Sequence, residues 1–528
     1  ASPAAPAAEA SMEGTASEAE PAEGAGAPEA AVQAAAGGAA AAAEGPRDGD
    51  ISVGRPVGLP NLGTDCFWLA PLQCLRHTPG FAGLFSDSLP ARDVPAASLQ
   101  EALADLLRTM ESAEQNGSLS KQDGSLAQFR IHASKALPCS DQQSTLVQPE
   151  PSRQRQGDSH EFLSQLLDVL GGASSEQPPS PRASPDSARI DQLEKELTQV
   201  FAAQADVKVS QCPQGHPLEL WLARAGECDG CFRQVAKGER VLDCRECNWY
   251  LCRSCFSQDQ GDPQVKRAKL NADNLLYEYS AVHWSASATR MHSRRLSSLF
   301  EGQRLAALRC SACGRCCASS AEPFVMETVK IVSCREAGWL ESLSSWLAGS
   351  QSPAKKLTLA ELLQRGAESP VAEGFRCPSP SCAQVGSSSR TARFLRLPAV
   401  LVVHVDRAEP DDSRCEVPLE FDEMLDLGAL GLVAHFGQPL DRNLEACSMR
   451  YRLASVVFHK RPSKRMAHYF AYVRAEDGDG WVRVDDSKVV RPSAASESTP
   501  TALEASEPPG GARATLLFFH REGYGEQS

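Results

Sequence analysis

Apolar side chains recur at helical spacing in the first half of the chain. Between Ser98 and Ser112, leucines return every three or four residues, which places them on one face of a helix. Similar patterns predict helices directly after Cys66, over Asp158–Leu170, over Ile190–Phe201 and around Leu359–Leu363.

From about residue 290 onward the pattern changes to that of β-strands. Apolar residues alternate with polar ones or run continuously, with turn residues between the runs, which is typical of strands. The runs are VLVVHVDR at 400–407, YRLASVVFH at 451–459, YFAYVR at 469–474, WVRVDD at 481–486 and ATLLFFHR at 514–521.

Three segments follow neither pattern. Residues 1–50 consist mainly of Ala, Gly, Pro and Glu, and residues 174–187 are rich in Ser and Pro. Residues 493–511 separate the last strand from the others. A segment that buries little apolar surface cannot offset the entropy lost on ordering. We therefore expect disorder in 1–50 and 493–511, and a linker at 174–187.

The length of the chain limits the number of domains, and its net charge limits the class of binding partner. The chain has 528 residues, enough for roughly two to four average domains. Its net charge of -14 disfavours a nucleic-acid partner, because phosphate binding normally requires a basic face. An acidic surface suits a partner that carries Arg and Lys.

The cysteines indicate metal binding rather than disulfides. There are 19 of them, many in C-x-x-C pairs, which is typical of zinc ligands in a reducing compartment. No apolar run approaches the roughly 18 residues of a membrane-spanning helix, and residues 1–50 show no apolar stretch with a basic flank, the pattern typical of a secretory signal. We expect a cytoplasmic or nuclear location, or both, and no membrane partner.

A candidate nucleophile lies in the first predicted helix. Cys66 ends a glycine-bearing turn, and the N-terminus of a helix favours a thiolate through its dipole and free N–H groups. His468 and Asp485 stand on successive predicted strands, which a turn can bring side by side. A nucleophilic thiol needs such a base and a group that orients it. The residue types alone also allow a buried apolar thiol and a core histidine.

Three blocks resemble the ubiquitin-specific protease family, in the family's order. They are GLPNLGTDCFWLAPLQCL at 58–75, similar to the cysteine box, QGDSHEFL at 156–163, similar to the helix that follows it, and YRLASVVFH…AHYFAYV…WVRVDD at 451–486, similar to the histidine box. The resemblance covers about 56–170 and 290–522, within a catalytic domain placed at 51–525. It implies an α+β, papain-like fold with thumb, palm and fingers.

The resemblance also implies a role for each matched residue. Cys66 would attack the carbonyl of ubiquitin's terminal glycine. His468 would act as base and then acid, and Asp485 would orient it. Asn61, with the Cys66 backbone N–H, would stabilise the oxyanion. The other matched residues are Asp486, a second acidic helper that acts with ordered water, and Asp158 and Glu161, expected beside the Arg-containing tail of ubiquitin.

The sequence departs from the family close to Cys66. Thr64-Asp65 stands where the family has Asn-Thr, and Leu69 replaces an asparagine. An ionised Asp65 beside the thiol disfavours the thiolate, although Asp also suits a helix N-cap. Pro71 is expected to kink the helix, and Ala467 stands where glycine usually precedes the histidine. A catalytically inactive ubiquitin-binding scaffold is therefore the alternative to an enzyme.

Two cysteine pairs resemble the zinc site of the family's fingers. They are Cys310 with Cys313 and Cys377 with Cys382, four thiolates for one tetrahedral ion. The second pair has two residues more than the usual C-x-x-C, and Cys316 and Cys317 lie close enough to compete as ligands. Incidental cysteines or a lost site are the other interpretation.

A denser cluster defines an inserted module at residues 206–260. Four pairs of ligands match two tetrahedral zinc ions in a cross-brace, in which the first pair joins the third and the second joins the fourth. So short a segment should need zinc to fold. The cluster resembles C1-like and ZZ-type treble-clef modules, which implies either a protein partner or a structural insert. The ligands are Cys212, His216, Cys228, Cys231, Cys244, Cys247, Cys252 and Cys255.

The sequence supports three hypotheses of function. The first is a cysteine-type deubiquitinase that hydrolyses the isopeptide or peptide bond after the C-terminal glycine of ubiquitin in ubiquitinated proteins. The second is an inactive scaffold that binds ubiquitin. The third is an adaptor whose main activity lies in residues 212–255.

Overall fold

The structure, a computed structural model, describes the chain in segments between Arg55 and Gly523. The expected disordered segment 1–50 lies outside them, as do residues 174–185 of the expected linker, whereas Ser187 begins a helix. The described residues are 55–88, 98–137, 146–154, 156–171, 186–206, 216, 218–224, 226–229, 234–247, 249–252, 274–284, 294–310, 316–331, 357–377, 382, 385–409, 413–434, 449–463, 466–475, 480–493, 498–506 and 511–523.

The predicted helices are confirmed. The helix expected over Ile190–Phe201 is longer at both ends, and the helix after Cys66 continues through Pro71. In chain order the helices are α1 (Cys66–Arg76), α2 (Leu99–Ser112), α3 (Gly124–Ala136), α4 (Ser159–Leu170), α5 (Ser187–Asp206), α6 (274–284), α7 (Arg294–Phe300), α8 (Leu359–Gly366) and α9 (Pro500–Ser506).

Local side chains determine where two of these helices begin. Ser98 and Glu101 form a reciprocal capping box at the start of α2. Asp158 caps α4, because its Oδ1 accepts the backbone N–H groups of His160 at 2.7 Å and Glu161 at 3.2 Å. The sequence therefore specifies both starts without help from distant residues.

The five predicted strands are also confirmed, at Val400–Asp406, Arg450–Ser463, Met466–Arg474, Trp481–Asp485 and Ala512–Arg521. In chain order the strands are β1 (Glu219–Leu222), β2 (Gly226–Glu227), β3 (Gln234–Val235), β4 (Arg240–Cys244), β5 (Trp249–Cys252), β6 (Gly302–Cys310), β7 (Cys316–Phe324), β8 (Met326–Lys330), β9 (Leu357–Thr358), β10 (Glu368–Arg376), β11 (Val385–Arg396), β12 (Val400–Asp406), β13 (Leu419–Glu420), β14 (Met424–Asp426), β15 (Arg450–Ser463), β16 (Met466–Arg474), β17 (Trp481–Asp485), β18 (Lys488–Val490) and β19 (Ala512–Arg521).

An eight-stranded sheet forms the centre of the fold. Its order is β18-β17-β16-β15-β19-β12-β8, with β14 paired to β15. Neighbours are antiparallel except for β12 and β8. A second, four-stranded sheet has the order β10-β11-β6-β7. The predicted α+β fold class is confirmed, and the strands that carry His468 and Asp485 are neighbours.

Both faces of the large sheet are covered by apolar side chains. Val457 of β15 packs with α1 and α4, whereas Val456 and Phe458 point into the opposite cluster, as the two-residue period of a strand requires. Helix α1 packs on β16 and α4. Its Phe67 and Trp68 rings lie 6.3 and 6.4 Å from the Phe162 ring of α4. The N-terminus of α1 is therefore fixed against the sheet.

The disorder expected over residues 493–511 is wrong for its central part, where α9 is found. Leu503 belongs to the core, and Glu504 is fully buried. Glu504 pairs with the buried Arg407 at 2.6 Å and accepts the backbone N–H of Ala514 at 2.7 Å. A buried charge is stable only when it is paired and hydrogen-bonded, and these partners hold α9 in place.

The described part of residues 206–260 forms a three-stranded sheet, β1-β4-β5, and the β2–β3 hairpin. Its larger apolar cluster has four buried side chains, Ala223, Cys228, Val235 and Val241, with the partly buried Trp249 and Tyr250 packed against them. So small a core contributes little hydrophobic stabilisation. Among the described helices of the chain, none is both long and apolar enough to cross a bilayer.

Candidate active site

Cys66 is the first residue of α1 and is buried. The loop before it packs tightly on the segment that precedes α4. Thr64 Oγ1 donates a hydrogen bond to the Gln154 carbonyl at 2.8 Å, and a Cβ on Gly63 would stand 2.9 Å from the Pro151 carbonyl oxygen. The thiol therefore lies at a helix N-terminus whose entry loop is packed against residues 151–154.

Gln156 contacts the candidate nucleophile, and sequence reasoning assigned it no role. Its amide nitrogen lies 3.7 Å and its amide oxygen 3.9 Å from Cys66 Sγ. The neighbouring Gly157 leaves room for the Phe67 ring, since a Cβ there would lie 2.5 Å from a ring carbon. Gln156 could have been identified from the sequence, because it is the first residue of the QGDSHEFL block.

The structure brings His468 beside Asp485. His468 Nε2 and Asp485 Oδ1 are 2.6 Å apart, across the paired strands β16 and β17. Arg483 donates a hydrogen bond to the other carboxylate oxygen at 2.7 Å, and its guanidinium lies 4.2 Å from the Phe470 ring centroid. Asp485 is therefore held from both sides.

The pKa values of His468 and Asp485 are shifted in opposite directions, and both shifts favour the charged forms. The Asp485 hydrogen bond, followed by a hydrogen bond with the Cys66 thiol, raises the pKa of His468 to about 10 although burial opposes it. Burial acts to raise the pKa of Asp485, but His468 and Arg483 outweigh it and hold that pKa below its ordinary value. The pair is therefore an imidazolium and a carboxylate at neutral pH.

Asn61 is linked to Asp486. Its amide Nδ2 donates to Asp486 Oδ2 at 3.1 Å, and its Oδ1 accepts the backbone N–H groups of Gly63 at 3.0 Å and Asp65 at 3.1 Å. Asp486 has a φ of 53°, in the left-handed region that non-glycine residues rarely adopt. The amide is therefore fixed between the loop before α1 and the turn after β17.

One carboxylate oxygen of Asp486 is buried and has no hydrogen-bond partner among the residues that the structure describes. Burial, the largest effect, raises the pKa of this carboxyl, although Asn61 and the charge of His468 oppose the rise. Leu69 and Asp486 line the same small cavity of about 10 Å³, close to the lower limit for one water molecule. The Leu69 side chain therefore offers Asp486 no hydrogen bond.

Asp65 is the N-cap residue of α1, as expected, but its side chain makes no capping hydrogen bond. Its carboxylate is buried and paired with Arg130 of α3, which also stacks on Trp68. Sequence reasoning missed Arg130. The signal was an arginine in a helix whose neighbouring Phe129 and Ala133 are apolar and buried.

Asp158 and Glu161 lie at the start of α4, where Asp158 is exposed and Glu161 half-buried. Between them in sequence, His160 stacks on His404 with ring centroids 3.8 Å apart. Burial and then the nearby His160 lower the pKa of His404 to about 4, so this ring is neutral at physiological pH. Asp158 remains available to a ligand, although its Oδ1 caps the helix.

Two groups of predicted metal ligands are brought together. The Cys310, Cys377 and Cys382 sulfurs lie within 4.8 Å of one another, with 3.9 Å between Cys310 and Cys382. Cys316, considered as a competitor, instead donates its thiol hydrogen to the Ala318 carbonyl at 3.3 Å. Cys313 lies outside the described residues. The three thiols form a group that can hold a metal ion.

The second group joins the first and third ligand pairs of the inserted module. His216 Nδ1 lies 3.3 Å from Cys247 Sγ, which lies 3.0 Å from Cys244 Sγ. His216 Nε2 faces Glu246 at 3.2 Å. Cys228 is buried in the module core. The other predicted ligands, Cys212, Cys231, Cys255 and the side chain of Cys252, lie outside the described part of the chain.

Curated relatives match about half of the chain at low identity. A protein of Eremothecium gossypii called ubiquitin carboxyl-terminal hydrolase 4 is 24% identical over 272 residues, 49% of this chain and 29% of its own length. Ubiquitin carboxyl-terminal hydrolase 23 of Arabidopsis thaliana is 24% identical over 210 residues, 40% of this chain and 21% of its own length. The match therefore spans less than a third of each relative.

Two solved structures are similar at low identity. One is the SAGA Ubp8/Sgf11/Sus1/Sgf73 DUB module bound to ubiquitin aldehyde, with a TM-score of 0.47, 15% identity and coverage of 90% of this chain and 70% of that chain. The other is the yeast SAGA DUB module with an Sgf73 mutant, with a TM-score of 0.44, 15% identity and coverage of 91% and 71%.

A protein-family model also matches most of the chain. The model, described as ubiquitin carboxyl-terminal hydrolase, matches residues 57–519. This range begins before Cys66, contains His468 and Asp485 and ends in β19. The chain therefore belongs to the ubiquitin carboxyl-terminal hydrolase family.

Proposed function

We propose that the chain is a cysteine-type deubiquitinase that hydrolyses the isopeptide or peptide bond after the C-terminal glycine of ubiquitin in modified proteins. One observation carries the proposal: His468 is hydrogen-bonded to Asp485, and it lies close enough to the Cys66 thiol, at a helix N-terminus, for that thiol to raise the His468 pKa. This is the arrangement that nucleophile, base and orienting acid require.

In the first half-reaction, His468 already holds its proton as an imidazolium, and the thiolate sulfur of Cys66 attacks the carbonyl carbon of ubiquitin's terminal glycine. The C=O π electrons move to oxygen. When the tetrahedral intermediate collapses, the C–N bond breaks and the His468 imidazolium protonates the leaving amine. A thioester between Cys66 and ubiquitin remains.

In the second half-reaction, His468 takes a proton from water, and the water oxygen attacks the thioester carbon. The C–S bond then breaks, and the electron pair returns to the Cys66 sulfur. Asp485 keeps the imidazole in one orientation and stabilises its charged form in both halves. Arg483 supports this role, because it holds the second oxygen of Asp485 at 2.7 Å.

Asn61 and the Cys66 backbone N–H are proposed as the donors that stabilise the oxyanion. The Asn61 amide is held in advance by Asp486 and by two backbone N–H groups. A donor fixed before the reaction needs no reorganisation as charge develops on oxygen. Asp486 is thus proposed to act through Asn61.

Asp158 and Glu161 are proposed to contact the Arg-containing tail of ubiquitin. Asp158 is exposed at the start of α4, two residues after Gln156, whose amide touches the thiol. An extended tail that reaches Cys66 would therefore pass these carboxylates. Ion pairs there would favour a basic tail over a neutral one.

Structural zinc is proposed at both metal-binding groups. In a tetrahedral zinc–thiolate site, bonds of about 2.3 Å place sulfur atoms about 3.8 Å apart. The 3.9 Å between Cys310 and Cys382 fits this spacing. The Cys244 and Cys247 sulfurs, 3.0 Å apart, would have to separate to bind an ion in this way. Glu246 fits the carboxylate that commonly orients a ligating histidine through its second ring nitrogen. Cys313 would complete the first site, and Cys212 the site of His216, Cys244 and Cys247.

Residues 206–260 are proposed as an inserted zinc module within a catalytic domain at 51–525. Cys228, Cys231, Cys252 and Cys255 would hold its second ion. The module exposes Trp221 by 46% and Leu222 by 57%, which favours a protein partner over a purely structural role. We propose a cytoplasmic or nuclear location, because zinc–thiolate sites require a reducing compartment.

Hydrolysis of a fluorogenic amide at the C-terminus of ubiquitin tests the activity. We expect release by the full chain and none by Cys66→Ala, with ubiquitin affinity retained. Cys74→Ala is the matched control, because burial raises the pKa of the Cys74 thiol, in the same helix, to about 12. If the unaltered chain binds ubiquitin but releases no fluorophore, the scaffold hypothesis is supported instead. If deletion of residues 206–260 abolishes the binding of all partners, the adaptor hypothesis is supported.

A further inference from the structure

A buried ion pair lies next to the proposed nucleophile. The Asp65 and Arg130 side chains are 1% and 4% exposed, and Arg130 Nη2 donates to Asp65 Oδ2. The same oxygen accepts the Leu62 backbone N–H at 3.1 Å, and Oδ1 accepts the Trp68 indole N–H at 3.3 Å. Both carboxylate oxygens are thus hydrogen-bonded, as a buried charge requires.

Arg130 is fixed by further contacts. Its Nη1 donates to the Gln148 carbonyl at 3.2 Å, and its guanidinium lies 5.4 Å from the Trp68 ring centroid. It projects from α3, whereas Asp65 immediately precedes Cys66. The counter-charge therefore comes from an element 65 residues away in sequence.

An unpaired carboxylate at position 65 would oppose the reaction in two ways. Its negative charge would disfavour the adjacent thiolate. Without the Arg130 hydrogen bond, the carboxylate would also be held less firmly against the Leu62 N–H, a contact that helps to shape the loop between Asn61 and Cys66. The family pattern has a neutral residue at this position, so the need for a counter-charge is specific to chains with Asp here.

We propose that Arg130 is a positioning residue for Cys66, acting through Asp65. It neutralises the carboxylate beside the thiol and, through that carboxylate, holds the loop that carries Asn61. The expected effect on kcat rests on the proposed deubiquitinase function. The expected effect on the reactivity of the Cys66 thiol does not, because that reactivity can be measured without ubiquitin.

The other charged or titratable groups near the thiol must stay unchanged in the test. They are His468, Tyr469, Asp485, Asp486 and Arg483 on β16, β17 and the turn that follows, and Asp158 at the start of α4. Substitutions confined to Asp65 and Arg130 leave all of them in place.

The experiment measures the pH profile of Cys66 alkylation by iodoacetamide, read by mass on the Cys66 peptide, together with kcat and KM for the fluorogenic ubiquitin substrate. We expect Arg130→Met to lower kcat about tenfold or more with little change in KM. Its alkylation profile should move to higher pH, and that of Asp65→Asn to lower pH. The double variant Asp65→Asn/Arg130→Met should recover most of the loss.

Arg108→Met is the matched control, because Arg108 makes a partly exposed pair with Asp105 on α2 and should change nothing. A merely structural ion pair would lower stability in both single variants without opposite pH shifts, and that result would overturn the proposal. If Arg130→Met does not fold, the alkylation profile of Asp65→Asn and the activity of the double variant test the proposal. An unchanged Asp65→Asn profile, or an inactive but folded double variant, would reject it. Opposite shifts without ubiquitin hydrolysis would reject the proposed function alone.

Discussion

The Asn61 side chain donates a hydrogen bond to Asp486 Oδ2 over 3.1 Å, which ties the loop before Cys66 to the turn after Asp485. The turn itself lies against that loop, because a Cβ on Gly58 would stand 2.4 Å from the Ser487 carbonyl oxygen. The Leu59 N–H also donates to the Asp486 carbonyl at 2.8 Å. The proposed oxyanion donor is therefore positioned before substrate binds.

Removal of the Asp486 carboxylate should release this donor. We expect Asp486→Ala to lower kcat by about tenfold to a hundredfold with a smaller change in KM, because a misplaced catalytic group mainly raises the barrier of the chemical step. Asp486→Asn keeps an acceptor for the Asn61 amide and should lose less. Steady-state kinetics on the fluorogenic ubiquitin substrate check this, and equal activity of the alanine variant and the unaltered chain would contradict it.

The pH dependence of activity should reflect His468. Its pKa is raised to about 10, so the imidazolium that protonates the leaving amine persists until pH rises through about 10. The stability that this raised pKa contributes is fully present below its ordinary value of 6.5 and is likewise lost as pH rises to about 10.

Asp485→Asn removes the largest cause of that shift. The alkaline limb of kcat/KM, and the loss of stability, should therefore both move to lower pH. A kcat/KM profile from pH 5 to pH 11 for both proteins checks the prediction. An alkaline limb at the same pH in the variant would show that another group controls it.

Gly157 should be needed for packing rather than chemistry. A Cβ there would lie 2.5 Å from the Phe67 ring, which is fully buried under α4. We expect Gly157→Ala to lower the free energy of unfolding by about 1–3 kcal/mol, because the ring must shift within a packed core. Gly124→Ala, at the open start of α3, is the control and should not destabilise. Urea unfolding of the two variants separates these outcomes.

Each of the two cysteine groups should account for a separate part of the zinc bound by the chain. Twelve predicted ligands correspond to about three tetrahedral zinc ions in the full chain. The double variants Cys310→Ser/Cys377→Ser and Cys244→Ser/Cys247→Ser should each lose about one ion by elemental analysis. Cys415→Ser changes a buried cysteine outside both groups and should lose none. Equal zinc in all variants, or none in the unaltered chain, would refute the assignment.

Strong local patterns made the helices and strands around the site predictable. The spacing of β16 and β17 was sufficient to pair His468 with Asp485, because consecutive strands joined by a short turn are usually neighbours. The start of α4 was equally local, since Asp158 caps it within three residues.

Features held by distant partners were not predictable in this way. Helix α9 lies in a segment rich in Ser, Pro and Glu, and its anchor is the pair between Glu504 and Arg407, 97 residues apart. Asp65 looked like a harmful charge or an N-cap, because Arg130 lies 65 residues away. Neither pairing changes the hydrophobic period of the chain, which is the signal that local patterns carry.

The most direct test of the proposed chemistry is the intact mass of the chain after incubation with ubiquitin that carries a thiol-reactive group at its C-terminus. We expect an adduct of one ubiquitin that is absent in Cys66→Ala, retained in Cys74→Ala and not formed with a ubiquitin-like protein. No adduct from the folded chain, or an adduct that persists in Cys66→Ala, would contradict the assignment of Cys66 as the nucleophile of a deubiquitinase.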